Sequence, residues 1–288
     1  MHSFAQTNIQ LINQLRGDGY STTEISTVVT SYELAMRLFT GLFRGSGKTF
    51  IAHLVGTASI LGTLRVPSSL VAAGLIHAAY SAGDFGDGKK GMANAKREWI
   101  RSGIGNEVEE YVARYTALSW RDEAIPAILD GLGSLGPLDR DVLLIRLANE
   151  LEEFLDFGIL YCGDEKRRQV NYVGSTGKHM IKMAEKLGFP KLAVELEKAF
   201  EEAVRAEIPG VLRRPDARNF SFLVAPRSYQ PKARRSNTLR LLRSGATALR
   251  GRLTIFRPRS ASCLPLCWKK NGRIKIGPEA EVKCRNLK

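Results

Sequence analysis

The chain has 288 residues, with 43 Lys and Arg against 29 Asp and Glu, a formal net charge of +14. Hydrophobic residues make up 44%, which is enough for a real core and excludes wholesale disorder. No run of about 18 uncharged apolar residues occurs, which argues against a transmembrane helix, and the polar opening stretch lacks the apolar segment of a secretory signal. Four Cys, three of them beyond residue 260, do not make a disulfide framework, so a reducing cytoplasm is the expected setting.

The charge is unevenly placed. Residues 213–288 hold 20 Lys and Arg and three acids, a net of +17, which leaves 23 basic and 26 acidic residues, a net of −3, in residues 1–212. An argument from basicity to an anionic partner therefore concerns the C-terminal stretch and says nothing of the body.

The body reads as helices in chain order. Ser21-Thr22-Thr23-Glu24 is a capping box, and the segment behind it places Val28, Tyr32, Ala35, Leu38 and Phe39 on one helical face. After a break at 44–47, residues 49–65 form a second helix. Pro67 restarts the chain, and residues 69–83 read as a third, almost wholly apolar helix, buried on most sides. The glycine-rich stretch 81–91 is a loop. Residues 93–104 and 106–118 are helices broken near Gly103 and Gly105, 138–161 is a long amphipathic helix, and 177–189 and 190–208 complete the body. No convincing alternation of strand type appears and no fixed-period repeat is present, so the expected class is all-α to about residue 210.

Two motifs fail on inspection. Gly45-Ser46-Gly47-Lys48-Thr49 invites a P-loop reading, but Leu42 stands where the first glycine belongs and a helix, not a strand, precedes it. Cys263, Cys267 and Cys284 have no nearby His to complete a zinc site, and they read as unpaired thiols.

The histidines hold more. His53 and His77 sit in apolar helices, and burying an imidazole costs free energy unless its ring nitrogens find partners. Twenty-four residues apart on helices joined by a short turn, they can face each other. The segment Arg44-Gly45-Ser46-Gly47, five residues and His53, followed by Leu75-Ile76-His77, resembles the HD-domain superfamily, and within it the guanosine tetraphosphate hydrolase domain of the RelA/SpoT stringent-response enzymes. Leu147-Ala148-Asn149 resembles that family's Leu-Ala-Asp segment. His53-Leu54-x-Gly56-Thr57 and Gly74-Leu75-x-His77-x-x-Tyr80 also resemble a second HD-like bacterial group.

The resemblance implies an HD-like helical bundle whose His-Asp pair and final Asp help bind a divalent metal that activates water for phosphoester hydrolysis. The implied divisions are an N-terminal helix over 1–30, an HD-like domain over 31–210 and a basic, mostly disordered tail over 211–288. It places His53, His77 and Asn149 at the catalytic positions. Arg44, Ser46, Thr57 and Tyr80 would meet substrate, with Arg44 as a phosphate clamp or else an ion pair closing the loop between helices, Thr57 orienting the His53 ring and Tyr80 standing in for a lost acid or simply packing. His53 and His77 would hold Mn, Fe or Zn with help from Asp84 and Glu150. The departures are specific. Ala78 stands in place of the pair's Asp, Asn149 in place of the final Asp, and the acidic pair that follows falls on Ala79–Ala82. Two neutral imidazoles alone hold a metal weakly. Glu150, Glu153 and Asp156, on the 138–161 helix, are open to a second reading as a solvated charged face.

In the tail, Leu239, Leu242, Ala246, Leu249 and Leu253 recur at helical spacing with Arg240, Arg243, Arg250 and Arg252 off the stripe. This is a basic amphipathic segment suited to an anionic membrane surface, RNA or an acidic protein. Three functions stay open: a metal-dependent phosphohydrolase acting on a nucleotide or other phosphorylated small molecule, a non-catalytic HD-like module binding such a molecule, and an interaction protein acting through its tail. The expected location is cytoplasmic, with the tail as a route to a membrane surface.

Overall fold

The computed structural model describes residues 4–44, 46–161, 173–207, 268–270 and 273–275. Between 4 and 207 the described residues are all-α. The helices are α1 (Asn8–Gly17), α2 (Thr22–Phe39), α3 (Phe50–Thr63), α4 (Ser68–Ile76), α5 (Ala79–Ala82), α6 (Asn94–Ile104), α7 (Asn106–Ala117), α8 (Ala124–Gly131), α9 (Pro137–Leu155), α10 (Lys178–Lys186) and α11 (Pro190–Arg205). No helix among the described residues is long and apolar enough to cross a membrane.

Local chemistry starts several of these helices where it should. Thr7 with Gln10 and Ser21 with Glu24 form reciprocal capping boxes on α1 and α2, each satisfying two backbone donors that the first turn would orphan. Thr49 caps α3 through the Ala52 amide. Pro137 and Pro190 occupy the first turns of α9 and α11, where a missing N–H costs nothing. Residues 1–30, expected as one helix, instead hold α1 and the start of α2, separated at Asp18–Ser21.

The centre is α3 and α4, both apolar on nearly every side. Leu54, Val55, Ala58 and Leu61 of α3 and Leu70, Val71, Leu75 and Ile76 of α4 have essentially no exposed surface. Around them pack α1 and α9 on α3, and α2, α7 and α9 on α4, so most of this helical stability comes from buried apolar area.

Three boundaries differ from expectation. The apolar helix expected over 69–83 stops at Ile76, with His77 and Ala78 forming a turn before α5. The His77 ring nitrogen bonds the Gly74 carbonyl at 2.8 Å, the acceptor that the next helical amide would use. The helix expected over 138–161 ends at Leu155, and Phe157 takes a left-handed φ of 56° beyond it. Of Gly103 and Gly105, only Gly105 breaks the chain. Its φ of 88° is a conformation other residues adopt rarely. One helix, α8, was not expected at all.

Residues 232–288 cluster as a separate unit. Within it, Trp268–Lys270 and Arg273–Lys275 pair antiparallel, Trp268 opposite Lys275 and Lys270 opposite Arg273. Asn271-Gly272 stands between them in sequence, a strong short-range hairpin signal that the helical reading of the chain overlooked. The amphipathic segment 239–253 and all four Cys lie outside the described residues.

Candidate functional site

The two histidines meet. His53, in the second turn of α3, and His77, just past α4, have ring centroids 5.4 Å apart at 73°, and both are buried. They belong to a line of rings. Phe50 lies edge-on to His53 at 5.8 Å, and Tyr115 of α7 lies 4.9 Å beyond His77. A guanidinium stands at either end. Arg44 lies over Phe50 at 5.3 Å, and Arg146 of α9 lies over Tyr115 at 5.8 Å and Trp120 at 5.2 Å, also donating to the Tyr115 hydroxyl at 2.9 Å. Both side chains reach solvent, at 26% and 23% exposure.

The turn before α3 presents the cations. Phe43 bridges Thr49, and the Arg44 amide donates to the Lys48 carbonyl at 2.8 Å. This tight turn lies against the last turn of α9, where free carbonyls and the helix dipole favour positive charge. Arg44 pairs with Glu153, and Lys48 pairs with both Glu152 and Asp156. Ser46 packs beside Gly158, where a side chain would come within 3.1 Å of its hydroxyl.

Glu152 is the acid that reaches the histidines. It is 2% exposed; one oxygen meets the Lys48 ammonium and the other His53 Nδ1. It can lie there because Gly56 has no side chain, since a Cβ at Gly56 would sit 2.8 Å from Glu152 Cγ. Burial pushes the Glu152 carboxyl up, and Lys48 opposes this. Burial also lowers Lys48, but Glu152 and Asp156 outweigh it and raise the ammonium above its ordinary value. With two donors on its two oxygens, Glu152 is best described as a carboxylate. His53 then carries its proton on Nδ1, which leaves Nε2 a bare lone pair. That atom is buried with no hydrogen-bond partner.

Both imidazoles are held neutral. Burial lowers His53 well below 6.5, and the nearby Arg44, Lys48 and Arg146 charges lower it further. Burial brings His77 down to about 3, with His53 and the same two arginines contributing.

Several expected roles are corrected by this geometry. Thr57 donates to the His53 carbonyl at 3.1 Å, so it does not orient the ring through its hydroxyl. Tyr80 donates to Glu109 at 2.6 Å, within a cluster that Arg97 and Arg101 complete. Asp84 is exposed in its loop and accepts from the Gly86 amide at 2.9 Å. Glu150 is buried against Arg146. Asn149 is buried on α9, one turn before Glu152 and Glu153. Of the acids open to reading as a solvated face, Glu150 is buried, Glu153 is half-buried and Asp156 is exposed.

The expected divalent ion does not fit what is described. Among the described residues no three His, Cys, Asp or Glu side chains converge as a ligand set. Glu152 and Glu150 are committed to cations, Asp84 lies in its loop, and Asn149 offers a neutral amide. Glu152, Lys48, Tyr115 and Arg146 were missed from sequence. For Glu152 the available signal was an acid in helical register with Leu144, Ile145 and Ala148, on the apolar face of the helix.

Comparison with known proteins gives a limited frame. A family model described as a domain of unknown function (DUF6817) matches residues 37–119, the stretch that holds Arg44, both histidines and Tyr115. No curated protein matches. Among solved structures, one described as a metazoan ortholog of SpoT that hydrolyzes ppGpp and plays a role in starvation responses is similar over 64% of this chain and 97% of its own. It has 16% identity and a TM-score of 0.45, and at that level the likeness carries no functional weight.

Proposed function

We propose that the body is an HD-like helical module that binds a phosphorylated small molecule, of nucleotide or phosphometabolite class, through Arg44 and Arg146. The observation that carries this reading is the pairing of two partly exposed guanidiniums with a buried, neutral histidine pair whose one bare acceptor is His53 Nε2. A phosphate can share or replace Glu153 and Glu150 as the partner of these arginines, through charge-assisted, forked hydrogen bonds. A hydroxyl or N–H of the same ligand can give His53 Nε2 the donor it lacks, which relieves a buried polar atom of a cost of about 1–3 kcal/mol. The dominance of Arg–carboxylate pairs over any ligand set for a metal favours binding over turnover.

A second reading, hydrolysis, has one specific support. A carboxylate that orients an imidazole through Nδ1 and leaves Nε2 bare is the arrangement of a base or of a ligating histidine.

Calorimetric titration of the full chain with inorganic phosphate, pyrophosphate and nucleoside mono-, di- and polyphosphates tests both, alongside a phosphate-release assay. The expected result is one equivalent of a phosphorylated compound bound, about 10-fold weaker in Arg44→Ala and in Arg146→Ala, or ~1.4 kcal/mol, and no turnover. Binding indifferent to both arginines would overturn the reading and point to the basic tail. Phosphate release that is lost in His53→Ala would establish the hydrolytic reading instead.

A further inference from the structure

Four oxygens decide what cation this pocket holds. Glu152 meets Lys48 with one oxygen and His53 Nδ1 with the other. Asp156 accepts from the Gly158 amide at 2.9 Å with Oδ1 and faces Lys48 Nζ at 3.0 Å with Oδ2. Each oxygen therefore already has a donor. The 3.0 Å separation is that of an ammonium hydrogen bond; zinc sits about 2.0–2.2 Å from a carboxylate oxygen. A few ångströms away, His53 Nε2 is nine-tenths buried or more and has no partner. Lys48 itself is 16% exposed and is fixed by the turn that caps α3, so its charge is built in with the backbone.

We propose that the Lys48 ammonium is the resident cation of this pocket: it bridges Glu152 and Asp156 where a divalent ion would otherwise bridge them, and the wild-type chain takes no metal at that place. An ion pair of this kind offsets the cost of burying the Glu152 carboxylate, and a metal ion entering between the two carboxylates would meet the Lys48 ammonium already there. Removing the ammonium while keeping its volume leaves the Glu152 and Asp156 carboxylates facing a vacancy with two negative charges, hard oxygen donors suited to Mn²⁺. The inference goes beyond the ligand reading above and is independent of it, because it concerns the pocket's own charge.

The test is a Mn²⁺ titration of chelator-treated full-length protein, read by the electron spin resonance of free Mn²⁺ and by thermal unfolding. The proteins compared are wild type, Glu152→Gln, Lys48→Met and the Lys48→Met/Glu152→Gln double variant. Wild type and Glu152→Gln should show the same Mn²⁺ uptake, so that none depends on Glu152. Lys48→Met should lose about 10 °C in metal-free buffer, take up one further equivalent of Mn²⁺ and recover much of the loss, and the double variant should not take it up. If Lys48→Met does not fold without metal, recovery of the folded state in millimolar Mn²⁺ supports the proposal and failure to recover overturns it. Mn²⁺ uptake by wild type that Glu152→Gln abolishes overturns it, as does a folded Lys48→Met with no Glu152-dependent uptake. No phosphorylated ligand enters this titration, so the ligand reading can fail without affecting the result.

Discussion

His77 has its ring between His53 and Tyr115 and its Nδ1 on a backbone carbonyl, an environment that stabilises only the neutral imidazole. Its native pKa, about 3, lies below the unfolded value near 6.5. Below pH 6.5 the unfolded chain binds a proton that the folded chain does not, so stability falls as pH drops from 6.5 toward 3. The expected loss from this one residue is about 1.4 kcal/mol between pH 7.5 and 5.5. Glu152, whose carboxyl is raised by burial, contributes with the opposite sign, so the histidine's share is read as a difference. Urea unfolding of wild type and His77→Gln at the two pH values should show the shallower pH dependence in the variant, and equal dependence would mean that His77 is protonated in the folded state. At this scale the pair itself was legible, because two histidines within apolar helices need partners. The partner was not. Glu152 is one of four acidic residues between 150 and 156, and only the packing of α9 on α3 selects it.

Among the elements, α5, α6 and α7 are joined by a single buried carboxylate. Glu109 of α7 accepts from Tyr80 of α5 at 2.6 Å, from Arg97 of α6 at 2.6 and 2.9 Å, and from Arg101 of α6 at 2.8 Å. Burial alone would raise its carboxyl, but the hydrogen bonds from Arg97, Tyr80 and Arg101 outweigh burial and hold it below the usual range. Glu109→Gln should cost about 3 kcal/mol in chemical denaturation, as expected on breaking a buried ion pair. Tyr80→Phe should cost roughly 1 kcal/mol and leave phosphate-ligand affinity unchanged. A loss of affinity in Tyr80→Phe would restore the substrate role first expected for it. The helices were readable from apolar periodicity and capping residues, which act within a few residues of themselves. The end of α4 was not, because His77 terminates the helix by a side-chain bond to Gly74, a competition that no periodicity encodes.

For the molecule as a whole, the two ends differ in charge, −3 over residues 1–212 and +17 over 213–288. A basic stretch of this density should bind anionic vesicles or heparin with an affinity that falls steeply with salt. A chain truncated after Leu212 should lose that binding and keep the Arg44-dependent uptake of phosphorylated ligand. Column retention at graded salt together with calorimetry checks both halves of the expectation. Loss of both would mean that the tail takes part in the ligand site.

The all-α class, the capped start of α2, the burial of α4 and the nomination of His53 and His77 all followed from the chain read by itself. Each depends on composition, charge or contacts between residues near in sequence. The tertiary structure alone decided which charges meet, by bringing Lys48 and Glu152, 104 residues apart, into one pocket and sending Tyr80 to Glu109. Long-range packing sets these pairings, and a buried charge is held in place only by a partner that the fold delivers.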